Sequence, residues 1–334
     1  MFVIAGFLIC ATIIFFAGKR LALYGDLLAE ATGFSKGWIG LILLASVTSL
    51  PELMVGIGSA AIVQSADLAV GDILGSCVFN LAILAMLDAF VKDHKPITSV
   101  ASTSHIVNAG LGIILLSLVG LAIFLPYDFP VMPWIGFSSI LFIIAYSVSI
   151  RIIYNHEQNY QTGKMLPEQE VQNAHSKTEL RKIIGSFVLF ALIIIAAALA
   201  LPYFAEGIAE MTGLGKAFVG TFFLAASTSL PEVAVSVAAV RRGSLDLSVG
   251  NLLGSNIFNI LILAIDDIVY PKGLLLKDAS DFNLLSVFST ILMTAVVIIG
   301  LGVRTPGKRL WLAWDAIVIF IIYFINLYLL FRFT

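Results

Sequence analysis

Two copies of one short pattern carry the groups best able to do chemistry: Thr48-Ser49-Leu50-Pro51-Glu52 and, 180 positions on, Thr228-Ser229-Leu230-Pro231-Glu232. Each sets a carboxylate, two hydroxyls and a proline in an apolar run with no Lys or Arg beside them. A carboxylate at the centre of a membrane helix costs about 2.5 to 3.5 kcal/mol, so Glu52 and Glu232 require a partner, a proton or a cation. Pro51 and Pro231 have no N–H to offer the carbonyls of Val47 and Ser227. Such a break is tolerated at depth only where it is buried in protein or lines a cavity. Helical spacing places Thr48 and Ser49 on the face of Glu52, and Thr228 and Ser229 on the face of Glu232.

A second pattern follows each motif. Asp72, Ser76 and Asn80 recur every four residues, as do Asn251, Ser255 and Asn259, so each set lines one helix face. Gly71, Gly75, Gly250 and Gly254 permit close helix approach and would bring that face against the broken helix. The pooled donors are all oxygen, which suits Ca²⁺ and also Na⁺; thiophilic metals would want Cys or His. Asp72, opposite Asn251 in the repeat, has two readings: a pathway or gating residue, or a carboxylate favoured by the dipole at a helix start. No nucleophile, His base or metal triad points to an enzyme. No cofactor is indicated, and ions are cargo.

The elements that must position these residues are membrane helices. The chain has 334 residues, 60% of them hydrophobic and 12% charged, with a mean hydropathy of +1.03. That is an integral membrane composition. Apolar runs of spanning length are expected at Met1 to Ala17, Trp38 to Ile62, Leu68 to Phe90, Ile106 to Leu125, Val131 to Ile153, Ile183 to Phe204, Ala217 to Val240, Leu247 to Ile268, Leu284 to Val303 and Leu310 to Leu330. With the N-terminus outside, all but Lys216, Lys272, Lys277 and Arg332 of the 19 Lys and Arg residues fall in the cytoplasm. This asymmetry supports an even number of spans, a retained first helix and both termini outside.

The second half repeats the first. Glu30 to Lys36 matches Glu210 to Lys216 at offset 180, and Asp67 to Asn80 matches Asp246 to Asn259 at offset 179, which puts one lost residue in the intervening loop. Five spans per half make the second copy enter from the opposite side, an inverted-topology repeat with its site at the repeat interface. The organisation expected is a first five-helix repeat at 1–153, a polar cytoplasmic linker at 154–182 with a short helix from Pro167, and a second repeat at 183–334. Cys10 and Cys77 lie within spans and read as small packing residues. Asp88, Asp266 and Asp267 near span ends, and His94, His105, His156 and His175 in or beside loops, read as water-facing. Trp38, Trp134, Trp311 and Trp314 read as interfacial anchors.

On Thr-Ser-Leu-Pro-Glu and the Gly-Asn-x-x-Gly-Ser-Asn-x-x-Asn of the second half, duplicated at this spacing, the chain resembles the calcium/cation antiporter superfamily, in particular the prokaryotic sodium/calcium exchangers. The resemblance implies an all-α integral membrane protein of the prokaryotic plasma membrane, with ten helices in the sodium/calcium exchanger fold. The second, third, seventh and eighth helices would build the site, and the first and sixth would slide as a gating pair. It implies Glu52 and Glu232 as central ligands, Thr48, Thr228, Ser49 and Ser229 as their neighbours, and Ser76, Ser255, Asn80 and Asn259 as the floor. The carbonyls of Ala45 and Ala225 would serve outer Na⁺ positions. Some relatives carry Asp where Asn80 or Asn259 stands; Val47 and Ser227 replace a common Gly, and Asp72 and Cys77 replace the usual Asn of the first repeat. The function implied is Ca²⁺/Na⁺ antiport by alternating access. Ca²⁺/H⁺ antiport is the alternative, and a cation channel a lesser one. Lipid, Ca²⁺ and Na⁺ are the partners implied; nucleic acid and an obligate protein partner are not.

Overall fold

The structure is a computed structural model that describes residues 2–32, 45–91, 95–125, 130–132, 135–164, 177–308 and 311–334. Its helices are α1 (Phe2–Thr32), α2 (Leu50–Ile57), α3 (Ala66–Asp88), α4 (His105–Phe124), α5 (Phe137–Lys164), α6 (Lys177–Thr212), α7 (Lys216–Thr228), α8 (Leu230–Arg241), α9 (Leu245–Val269), α10 (Asn283–Val303) and α11 (Trp314–Phe333). A two-stranded antiparallel hairpin, β1 (Pro130–Met132) and β2 (Ile135–Gly136), precedes α5, where the sequence suggested helix from Val131. Among the described residues eight helices are long and apolar enough to cross a membrane. The pair α7 and α8, bent by 47°, makes a ninth crossing. The expected second span is described from Ala45 onward, and α2 continues to Val63.

α3 and α9 form the centre. Their sequences are rich in Gly, Ala, Ser and Asn, which pack closely, and both are buried along most of their length. Outer helices reverse the pattern: Leu8, Ile9 and Phe16 of α1 and Leu189 and Leu192 of α6 are exposed, as lipid-facing residues must be. α1 and α6 run antiparallel against each other. Gly6 lies on the ring of Phe204, Gly207 on Val3, and Tyr24 stacks on Phe190 with centroids 5.7 Å apart. Gly18 of α1 in turn sits on Pro231, so this outer pair touches the second motif.

A pseudo-two-fold relation runs through the polar contacts. Asp88 accepts hydrogen bonds from Ile97 N at 2.8 Å and Ala313 N at 2.7 Å, and its counterpart Asp267 accepts from Leu275 N at 2.7 Å and Gly136 N at 3.3 Å. Asp246 accepts from Ser102 N at 2.6 Å, and its counterpart Asp67 from Ser280 N at 2.6 Å. Lys308 pairs with Asp88 at 3.2 Å at one end of the bundle; Lys272 donates to Gln64 O at 3.0 Å at the other. Each contact joins loops that the ten-span layout puts on the same side.

Several expectations need correction. Asp88, Asp266 and Asp267 are buried rather than water-facing, because the loops fold back to give the first and last of these backbone amides. His105 is buried too and lies 3.1 Å from Asp246. α5 and α6 extend into the 154–182 segment from both sides, so much of the expected linker is helical; a helix from Pro167, His94, His175, Trp38 and Trp134 lie outside the described residues. Trp311 and Trp314 are exposed at the start of α11.

The residue that separates offsets 180 and 179 is not in a loop. Gln64 and Gly243, one before each matched Ser, both adopt left-handed φ, 57° and 82°, so the offset is already 179 there. The extra residue is taken up within the first-half helix, where Gly58–Val63 forms a π-helical turn. Such a turn closes i to i+5 and holds one residue more than an α turn.

Candidate cation site at the two broken helices

Both motifs interrupt their helices at the same point. Ser49 and Ser229 sit between helical segments with nearly identical backbone, φ −84°, ψ 12° and φ −83°, ψ 7°. Ahead of each break the helix still closes, Ser49 N to Ala45 O at 2.9 Å and Ser229 N to Ala225 O at 3.1 Å. Proline at the second position of each following segment suits a helix start, where its missing N–H would have no helical acceptor. Each break therefore restarts the helix at the centre of the protein, with Glu52 and Glu232 in the first turns.

The two breaks face one another. Ser229 Oγ donates to Glu52 Oε1 at 2.9 Å, and Ser49 Oγ donates to Glu232 Oε1 at 3.3 Å. Spacing along one helix suggested that each serine shares a face with its own glutamate; in the fold each serves the glutamate of the other half. Both carboxylates are at most 1% exposed, and Oε2 of each has no hydrogen-bond partner among the described residues.

Thr228 Oγ1 contacts Ala225 O at 3.3 Å and Thr48 Oγ1 donates to Ala45 O at 3.1 Å, so both carbonyls expected at outer positions are held by their own motif. Ser76 Oγ lies 3.2 Å from Ser229 Oγ and 3.4 Å from Thr228 Oγ1. Ser255, its counterpart, is buried with its hydroxyl unpartnered among the described residues. Asn80 donates to Asn256 Oδ1 at 3.0 Å and Asn259 to Cys77 Sγ at 3.5 Å, which fixes the amide nitrogens and leaves both Oδ1 atoms unpartnered among the described residues. Cys77 and Asn256 thus orient the two floor amides, with Asn256 Nδ2 donating to Cys77 O at 3.1 Å. Sequence reading missed that role for both. The signal available was their shared position in the repeat.

Glycine sets how closely these helices meet. A Cβ on Gly75 would lie 2.5 Å from Thr221 Cα, and one on Gly71 3.0 Å from Ala217 O, so α3 packs directly on the first half of the α7–α8 crossing. Asp72 accepts from Thr228 Oγ1 at 3.2 Å and lies in the second turn of α3, fully buried. The helix-start reading of Asp72 therefore fails. Among the described residues no three His, Cys, Asp or Glu side chains converge as a metal-binding group.

The family model for the sodium/calcium exchanger protein matches residues 2–155 and 182–332. The chain belongs to that family. It is 27% identical over 338 residues to the sodium/calcium exchanger MaX1 of Methanosarcina acetivorans, covering 91% of each chain. It is 29% identical over 257 residues to the inner membrane protein YrbG of Escherichia coli, covering 75% of this chain and 74% of that one. Among solved structures it superposes on the H⁺/Ca²⁺ exchanger CAX with a TM-score of 0.68 at 16% identity, covering 99% of this chain and 85% of that one. The sodium-calcium exchanger NCX_Mj gives a TM-score of 0.63 at 16% identity, with 98% of both chains covered. The fold is that of the sodium/calcium exchangers: an all-α integral membrane architecture of two inverted repeats.

Proposed function

We propose that the protein is a secondary antiporter that exchanges Ca²⁺ for Na⁺ across the membrane in which its helices lie. The observation that carries this reading is the pair of buried glutamates, each with one oxygen bonded by a serine of the opposite half and the other oxygen unpartnered. Two carboxylates in an apolar interior need positive charge. One Ca²⁺ supplies it, as do monovalent ions.

In this reading Glu52 and Glu232 are the central ligands. Thr48, Thr228, Ser49 and Ser229 contribute hydroxyls, the Oδ1 atoms of Asn80 and Asn259 and the hydroxyls of Ser76 and Ser255 form the floor, and the Ala45 and Ala225 carbonyls lie at the flanks. Ca²⁺ and Na⁺ compete for the same oxygens, so occupancy is exclusive. Reorientation only when the carboxylates are neutralised turns exclusive occupancy into exchange. The cross-bonded serines tie each glutamate to both halves, so the site stays one unit while α1 and α6, the gating pair of the resemblance, slide past it. We place both termini outside and residues 154–182 in the cytoplasm, on the Lys and Arg distribution. The repeats are taken as 1–153 and 183–334.

The test is Ca²⁺ flux in proteoliposomes under an imposed Na⁺ gradient, then under a pH gradient alone. Uptake driven by Na⁺ is expected, with little from the pH gradient. Uptake driven by H⁺ and indifferent to Na⁺ would replace this reading with Ca²⁺/H⁺ antiport.

A further inference from the structure

The two sides of the central site, one toward each end of the bundle, do not carry the same charge. Asp72 stands opposite Asn251 in the repeat, and Asp266 opposite Leu87. Both aspartates are displaced from the floor residues toward the same end of the bundle. Asp72 lies one turn from Ser76 toward Ser65, about 6 Å along α3, and Asp266 lies seven residues past Asn259 toward Tyr270, about 10 Å along α9. Lys272 and Gln64 join the loops at that end. The extra acids therefore occupy one side of the glutamates only.

Their surroundings leave this charge uncompensated. Asp266 is fully buried with neither carboxylate oxygen partnered among the described residues, and Asp72 Oδ2 is likewise unpartnered. The Asp266 carboxylate rests on the backbone of Gly56, where any Cβ would overlap it. Gly56 follows Glu52 by one helical turn, and Ser59 continues the same face of that helix. Ser59 is also fully buried, and its hydroxyl has no partner among the described residues. α2, α3 and α9 pack on one another, which brings the Asp72 turn of α3 and the Asp266 turn of α9 to the same end of the bundle. The symmetry-related position on the other side has Ser236 where Gly56 stands, and Asn251 and Leu87 in place of the two acids.

We propose that Asp72 and Asp266, with the Ser59 hydroxyl, form a second cation site that holds one Na⁺ on the Ser65–Tyr270 side of Glu52 and Glu232. Four protein oxygens there have no partner among the described residues: Asp72 Oδ2, both oxygens of Asp266 and Ser59 Oγ. That set is short of the six to eight oxygens Ca²⁺ prefers. It suits a monovalent ion completed by water. Asp72 meets Thr228, which adjoins Ser76 and through it the Ser229 hydroxyl on Glu52, so a positive charge held here weakens the grip of Glu52 on a divalent cation and favours its release.

The site rests on the exchange reading above, and one experiment separates the two. Binding of ⁴⁵Ca²⁺ to the purified full chain in detergent is measured against rising Na⁺ for the wild type and for Asp266→Asn. The variant should keep its Ca²⁺ affinity within about twofold, need about threefold or more Na⁺ for half-displacement, and lose about one unit of Hill slope. Should Asp266→Asn not fold, Gly56→Ala, whose methyl would press on the carboxylate, is held to the same criterion. Wild-type displacement by Na⁺ with an unchanged curve in the variant overturns this site alone, as does a matching loss of Ca²⁺ affinity. Ca²⁺ binding that is indifferent to Na⁺ in the wild type overturns the exchange reading, and with it a Na⁺ occupant here.

Discussion

Ser49 and Ser229 hold the geometry of the centre, because each donates its hydroxyl to the glutamate of the other half. A hydrogen bond to a charged group contributes about 1.5 to 3 kcal/mol, so Ser49→Ala and Ser229→Ala should each weaken Ca²⁺ binding about tenfold or more. Matched losses in a titration of the purified protein are expected; a loss confined to one of them would deny the symmetric role. Asp88 belongs to a different class of residue. It is fully buried, pairs with Lys308 and accepts amides from two loops. Asp88→Ala leaves a buried ammonium and two amides unpaired, a cost of about 3 to 5 kcal/mol. The thermal midpoint in detergent should fall sharply; an unchanged midpoint would show that water already serves these groups. The motif residues were legible in the sequence because a Glu and a Pro in an apolar run violate hydropathy. Asp88, Asp266, Asp267 and His105 were misread, because hydropathy places a residue along a helix and says nothing of the loop that returns to meet it.

At the scale of elements, the close approach of α3 to α7 depends on Gly75, whose added Cβ would meet Thr221 backbone. Overpacking of this kind costs about 1 to 3 kcal/mol, and here it falls between two backbones that cannot yield. Gly75→Val should abolish Ca²⁺ flux with most protein still inserted; normal flux would mean that the two helices separate without consequence. The π turn at Gly58–Val63 allows a milder test. Deleting Ala61 restores the spacing of the second half, in which the equivalent helix is α-helical. The deleted protein should remain monodisperse on gel filtration, and aggregation would show that the extra residue is needed for folding. The offsets of 180 and 179 revealed that a residue had been gained or lost. They could not say that a helix rather than a loop absorbs it, since a π turn leaves no hydropathy signature.

At the scale of the whole molecule, the inverted repeat and the fold class were readable from duplicated Gly, Pro, Ser, Asn and Glu positions. What joins the halves was not. The cross-bonded serines and the amides of Asn80 and Asn259 oriented by Asn256 and Cys77 arise only when the second copy is turned over onto the first. That inversion makes one site from two half-sites, so neither glutamate is expected to bind Ca²⁺ alone. A binding isotherm on the purified protein tests this most directly, with wild type, Glu52→Gln and Glu232→Gln compared at equal Na⁺. The account predicts a single Ca²⁺ per wild-type chain and a loss of affinity of about tenfold or more in either variant, since Ca²⁺ sites are tuned by their count of charged ligands. Wild-type affinity retained in either variant would contradict it.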